Sequence, residues 1–263
     1  MKLELLTNKP KTINNETPIL FVHGMWHGAW CWDTYFLPYF EKKGIKAFAL
    51  SLSNHANSPV RKAFNLLRIS DYVKDIEQIV HTFDKKPILV GHSMGGFIVQ
   101  KYLEQDSVPG AVLMASVPPF GIWDGTIYVL KNFTGAFLKA NVTLNLKHIV
   151  NSTYKYKHIL CSEDFSDKKI EEYQKLIDTE SFFAYVDMLG LNLVHVKKVK
   201  ENGTPLLIMG GGKDAAISKN SVFKTAKKYN TEAVIFEDLP HLMMLSPEYR
   251  KVADRIINWM ESL

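Results

Sequence analysis

Two cysteines, Cys31 and Cys161, are all that this 263-residue chain carries. They make neither a disulfide framework nor a Cys-x-x-Cys pair, which excludes a stapled miniature fold and argues against a zinc or redox centre. No apolar run approaches the ~20 residues of a membrane-spanning helix. The opening MKLELLTNKPKT has one short apolar alternation and then polar residues. A secretory signal needs a longer apolar stretch and a small-residue cleavage site, so the expectation is a cytoplasmic protein. The Asn-x-Thr triplets at Asn132, Asn141, Asn151 and Asn202 then read as a product of composition. A concentrated stripe of positive charge is lacking too. The net charge is +5, but the pairs Lys42-Lys43, Lys85-Lys86, Lys168-Lys169 and Lys227-Lys228 are scattered along the chain. Phosphate tracking needs them gathered on one element, so no nucleic-acid partner is expected. Nothing in the sequence speaks to oligomeric state.

What is present is an alternation. Near-continuous apolar runs at Pro18–Gly24, Lys46–Leu52, Pro87–His92, Gly110–Ser116, Thr204–Gly210 and Glu232–Asp238 read as buried strands of a parallel sheet covered on both faces. Between them lie helical stripes. Ile69, Val73, Ile76, Val80 and Phe83 form one, and Val252, Ile256, Trp259, Met260 and Leu263 another, started by Ser246-Pro247. Strands alternating with helices predict an α/β, doubly wound fold. From about Val117 to Val199 the strand signal fades and aromatic-rich helical sequence replaces it. That is too long for a loop. The expected organisation is a core of residues 1–116 and 200–263 with a helical cap, 117–199, over the carboxyl ends of the strands, where ligands bind in such sheets. An ordinary helical layer of the core is the alternative.

One stretch carries chemistry. In PILVGHSMGG a strand ends at the G-x-S-x-G string Gly91-His92-Ser93-Met94-Gly95, and a helix follows. That is the context of a nucleophile elbow, in which the tight turn lifts the serine hydroxyl into a cleft and small residues are needed two positions either side. A serine hydroxyl needs a base, and the base an orienting carboxylate. In such sheets they follow in the order acid, then histidine. Asp214 comes just after a strand and a glycine-rich turn, and His241 just after the last strand. Asp238 is the rival acid, but three residues from His241 it would sit at the strand end. His81, His148, His158 and His195 lie in or beside helical patterns, and His92 is held inside the elbow. His23, His27, His55 and His92 show no metal-ligand spacing, so no metal is expected. Two amides are expected to stabilise an oxyanion: that of Met94, after the serine, and that of Met25, in the turn FVHGMWHG.

Taken together, HGMWHGAWCW, GHSMGG, GGGKD and PHLMML resemble the α/β-hydrolase superfamily from the first long strand to the last helix. The nearest likeness is to small bacterial lysophospholipase-like esterases. The HGMWHGAWCW stretch is also similar to plant methylesterases and hydroxynitrile lyases. The resemblance implies a mostly parallel eight-stranded sheet, a cap after strand six, a triad of Ser93, Asp214 and His241, and no cofactor. This chain departs from that pattern at HANS, His55 to Ser58, where many relatives have a glycine-containing HGxS, and at Pro240 before the histidine.

The function expected is serine-dependent hydrolysis of carboxylic esters through an acyl-enzyme, on a small-molecule ester. Trp26, Leu242, Trp123 and Phe183, with Met25 and Met94, are the expected walls of an apolar acyl or aromatic pocket. Two rivals share the scaffold: a lyase, for which Lys213 is in the wrong register to supply the cation, and a non-catalytic small-ligand-binding protein.

Overall fold

Where the sequence runs apolar without alternation, the chain enters a sheet. The computed structural model describes residues 2–263. Its strands are β1 (Leu5–Thr7), β2 (Asn15–Val22), β3 (Ile45–Leu50), β4 (Ile88–His92), β5 (Ala111–Met114), β6 (Leu206–Gly211) and β7 (Ala233–Phe236). They lie in the order β1-β3-β2-β4-β5-β6-β7, and every neighbouring pair is parallel except β1 with β3. β2, β4 and β5 are buried along their apolar lengths, as strands covered on both faces must be.

The helices before the sheet's midpoint are α1 (Trp30–Asp33), α2 (Phe36–Lys42), α3 (Ile69–Val80) and α4 (Met94–Tyr102). Between β5 and β6 come α5 (Trp123–Asn132), α6 (Thr134–Thr143), α7 (Thr153–Leu160), α8 (Asp167–Gln174), α9 (Phe182–Val186) and α10 (Val196–Asn202). The chain closes with α11 (Lys219–Lys228) and α12 (Tyr249–Met260). Helices α2, α4 and α11 pack against β3, β4 and β6, with α3 on α4 and α12 on α2, so helices cover both faces.

The sheet has seven strands among the described residues rather than the expected eight. Only the three-residue β1 precedes β2, and the polar stretch between them, with Pro10, makes a turn and no further strand. The helical insertion therefore follows the fifth strand and not the sixth.

Aromatic packing fixes the chain that leaves β2. Phe21 stacks on Trp32 with centroids 4.7 Å apart, and Phe36 and Phe40 meet it edge-on. Each such pair adds about 0.5–1.5 kcal/mol beyond its buried area. Together they hold α1 and α2 down, and so place the turn of residues 23–29 above the sheet's carboxyl edge.

The insertion is tied to the core by polar groups at its far end. Ala56 donates its amide to Asp178 Oδ2 at 2.9 Å, and Asp178 donates its own to the Trp26 carbonyl at 2.9 Å. Glu180, wholly buried, accepts from Tyr72 Oη at 2.9 Å and pairs with His55 Nε2 at 3.1 Å. Asp187 takes the Arg68 guanidinium and the Ile69 amide. At the near end, Asp124 on α5 accepts from the Ser218 hydroxyl at 2.6 Å.

Candidate active site

The backbone at Ser93 has φ 53°, a left-handed conformation costly for a residue with a Cβ, between the end of β4 and the start of α4. The turn is tight enough to dictate its neighbours. A Cβ on Gly91 would lie 2.5 Å from the Gly95 carbonyl oxygen, and one on Gly95 would strike the carbonyls of Val22 and His23. A Cβ on Gly24 would sit 2.8 Å from Ser93 Cβ, so the turn after β2 lies directly against the serine. Among the described residues the Met25 amide donates to no protein group. Met94 opens α4, where amides have no intrahelical acceptor. Two unclaimed N–H donors thus flank Ser93.

His241 follows β7 and Asp214 follows β6, both on the carboxyl edge of the sheet. His241 Nδ1–H donates to Asp214 Oδ2 at 2.7 Å, with the two side chains 3% and 0% exposed. The other carboxylate oxygen accepts the amides of Ala216 and Ile217, each at 2.8 Å. That pinning fixes the carboxylate, which fixes the imidazole tautomer and leaves Nε2 as the acceptor. The rival acid, Asp238, is 79% exposed and faces Lys213 at 3.7 Å. Lys213 itself is 53% exposed and does not line the pocket, which takes away the lyase reading's cation.

Three other histidines near the site are structural in their bonding. His23 Nε2 accepts the Leu52 amide at 3.0 Å, so Nδ1–H donates to the Gly24 carbonyl at 2.8 Å. His27 Nδ1–H donates to the Met25 carbonyl at 2.7 Å and Nε2 accepts from Tyr156 Oη at 2.9 Å. Burial pushes the His27 pKa down to about 4, so it is neutral at pH 7 and braces the Met25 turn. His92 Nε2–H donates to the His241 carbonyl at 3.0 Å. Its own pKa is held well below the usual range, by burial first and by His241 next.

Ser93 and His241 open into one narrow cavity of about 50 Å³, walled by Met25, Trp26, Ile122, Gly125, Thr126, Val129, Phe137, Ile149, Ile159, Leu160, Tyr185, Ala216 and Ile217. Of the six side chains expected to form its walls, Met25 and Trp26 do, Trp26 with its backbone at φ 66°. The other four lie elsewhere, Met94 being wholly buried and off the cavity wall. Trp123 is 49% exposed on the neighbouring face of α5. Phe183 lies beneath the Arg68 guanidinium, 6.0 Å from its ring centre. Leu242 is wholly buried behind His241, its amide bonded to the Leu160 carbonyl at 2.9 Å. The sequence alone did not single out one face of α5, Gly125, Thr126 and Val129, nor Ile122 just before the helix.

An α/β sheet with a strained serine between β4 and α4, and a buried His–Asp pair across from it, defines a class of fold and site. The chain belongs to the alpha/beta hydrolase family, whose model matches residues 19–255. It is 29% identical over 160 residues to norfluorocurarine synthase 2 of Strychnos sp, covering 59% of this chain and 50% of that protein. It is likewise 29% identical over 122 residues to methylesterase 9 of Arabidopsis thaliana, covering 44% and 46%. The matches thus span half or less of these curated relatives. In fold it is similar to an esterase from Exiguobacterium antarcticum, with TM-score 0.75 and 16% identity over 98% of this chain and 94% of that one.

Proposed function

We propose that this chain is a serine hydrolase of carboxylic esters. The observation that carries the reading is the strained Ser93, set between two unclaimed amides and sharing a pocket with a histidine whose tautomer Asp214 fixes. Ser93 Oγ attacks the ester carbonyl as its proton passes to His241 Nε2. The carbonyl oxygen takes the negative charge and is held by the amides of Met25 and Met94, each such donor being worth about 3 kcal/mol in the transition state. The C–O bond to the alcohol then breaks, and the alkoxide takes the proton from His241. Water, deprotonated by the same imidazole, attacks the acyl-serine and releases the acid and free Ser93. Asp214 stabilises the imidazolium in both halves. In this reading residues 117–199 act as a cap, and no cofactor takes part. The methylesterase among the relatives supports an ester as the substrate class. The narrow apolar walls favour a small apolar group on the acyl or alcohol side.

The test is labelling of the wild type and of Ser93→Ala with a fluorophosphonate probe, with peptide mapping, beside turnover of p-nitrophenyl esters of graded chain length. The expected outcome is a label on Ser93 alone, absent from the variant, and a fall in kcat of at least about 10⁴-fold. Equal labelling of the two proteins would remove the reading and leave a small-ligand-binding protein.

A further inference from the structure

Beside the face of α5 that lines the pocket runs a second stripe, Trp123, Ile127 and Leu130, which is open to solvent. On α6 the pattern repeats. Phe137 lines the pocket, and Leu138 and Val142, one turn apart, stand beside it at 56% and 84% exposure. An apolar patch spread over two adjoining helices at the edge of a binding pocket is not the ordinary scatter of surface hydrophobics.

Along this stretch of chain the charges are nearly all positive, although Lys157 is paired with Asp167 at 2.9 Å. Between Trp123 and Leu160 the chain carries Lys131, Lys139, Lys147, Lys155 and Lys157, and one carboxylate, Asp124. That carboxylate is turned inward to Ser218. Among the described residues the ammonium groups of Lys131 and Lys139 have neither an ion-pair nor a hydrogen-bond partner, although both are exposed. Lys155 bonds only neutral oxygens, those of His148 and Asn151. Its ammonium is held below the usual lysine range by partial burial first and then by Lys139. Exposed tryptophan and aliphatic side chains with lysines at their border are the composition of a helix that lies in a lipid interface.

We propose that the α5–α6 face docks on an anionic lipid surface, with Trp123, Ile127, Leu130, Leu138 and Val142 entering the headgroup boundary and Lys131 and Lys139 meeting the lipid phosphates. Docked in this way, the helices that wall the Ser93 pocket lie against the lipid. The inference concerns binding and stands whether or not Ser93 is a nucleophile.

The experiment is flotation of the full chain with vesicles of phosphatidylcholine alone, and with roughly one-third phosphatidylglycerol, at low salt and at about 0.5 M salt. Two double variants, Leu138→Glu with Val142→Glu and Lys131→Glu with Lys139→Glu, are run alongside, with thermal unfolding as the check that they fold. Each lysine near an anionic surface strengthens binding about fivefold. The wild type is therefore expected to favour the anionic vesicles by at least about tenfold, and high salt to erase the preference. The apolar pair of substitutions should lower binding to both vesicles, and the lysine pair should remove the preference alone. No flotation with anionic vesicles, or flotation that neither variant weakens, would overturn the proposal. So would a wild-type dimer, lacking vesicle binding, that the Leu138→Glu, Val142→Glu protein dissolves, since a second copy would then cover the face.

Discussion

Residues 178–187 and residues 123–144 belong to the same insertion, but different forces hold them. The first stretch is fastened by carboxylates: the buried Glu180 to His55 and Tyr72, the buried Asp187 to Arg68, and the half-buried Asp178 to the backbone of Ala56. The second is laid on apolar contacts through Val129 and Ala140, with the single carboxylate clasp of Asp124 on Ser218. Buried ions cannot slide without stranding a charge, whereas apolar contact is non-directional and tolerates a shift. One end of the insertion is therefore the more firmly held, and the other is expected to yield more easily.

The sharpest way to break this comparison is Glu180→Leu. It strands the Tyr72 hydroxyl and removes the counter-ion of His55, and is expected to cost about 3–5 kcal/mol in urea unfolding. Val142→Ala, on the other half, should stay within about 0.5 kcal/mol. Equal costs would dissolve the distinction.

pH separates the two next. Burial would push the His55 pKa down, but the charge and hydrogen bond of Glu180 outweigh it, and the pKa is raised. A raised histidine pKa stabilises the fold fully below the unfolded value near ~6.5, and the stability is lost as pH climbs through the folded value, by about 1.4 kcal/mol per unit. His23, His27 and His92 have lowered values, so their contribution is present above ~6.5 and is lost as pH falls, over the interval down to about 4 for His27. Stability measured against pH should decline on both sides, and Glu180→Gln should flatten the alkaline limb while sparing the acid one.

Asp124→Ala tests the yielding end. It is expected to cost about 1 kcal/mol, to speed hydrogen exchange in α5 but not in α9, and to shift ester preference toward longer chains. The smallest effect is expected at Ala56, whose φ of 47° is the left-handed conformation that suits glycine. Ala56→Gly should stabilise by about 0.5 kcal/mol without weakening the Asp178 contact.

That last position shows what a sequence can tell. HANS stood out beside HGxS as letters, and the structure supplies the reason, a backbone angle that glycine would adopt at less cost. Ser93, Asp214 and His241 were legible because each sits one turn beyond an apolar strand, and strands of that kind share one carboxyl edge. β1 was not legible as a strand, since three residues at a sheet edge carry little pattern. Trp123 and Phe183 were misplaced because aromatic character says a side chain is large and apolar, not which way its helix is rotated. Nor could the sequence join His55 to Glu180, 125 positions apart with no local signal between them.

The insertion also sets an order in time. β5 and β6 are hydrogen-bonded neighbours, yet roughly 90 residues of chain lie between Met114 and Leu206, and closing a loop of that length costs about 4 kcal/mol of chain entropy. Ser93 belongs to the half-sheet that comes before that gap, while Asp214 and His241 arrive with the half that comes after it. During synthesis or refolding the serine's turn can form early, but it meets its histidine only when the last two strands dock.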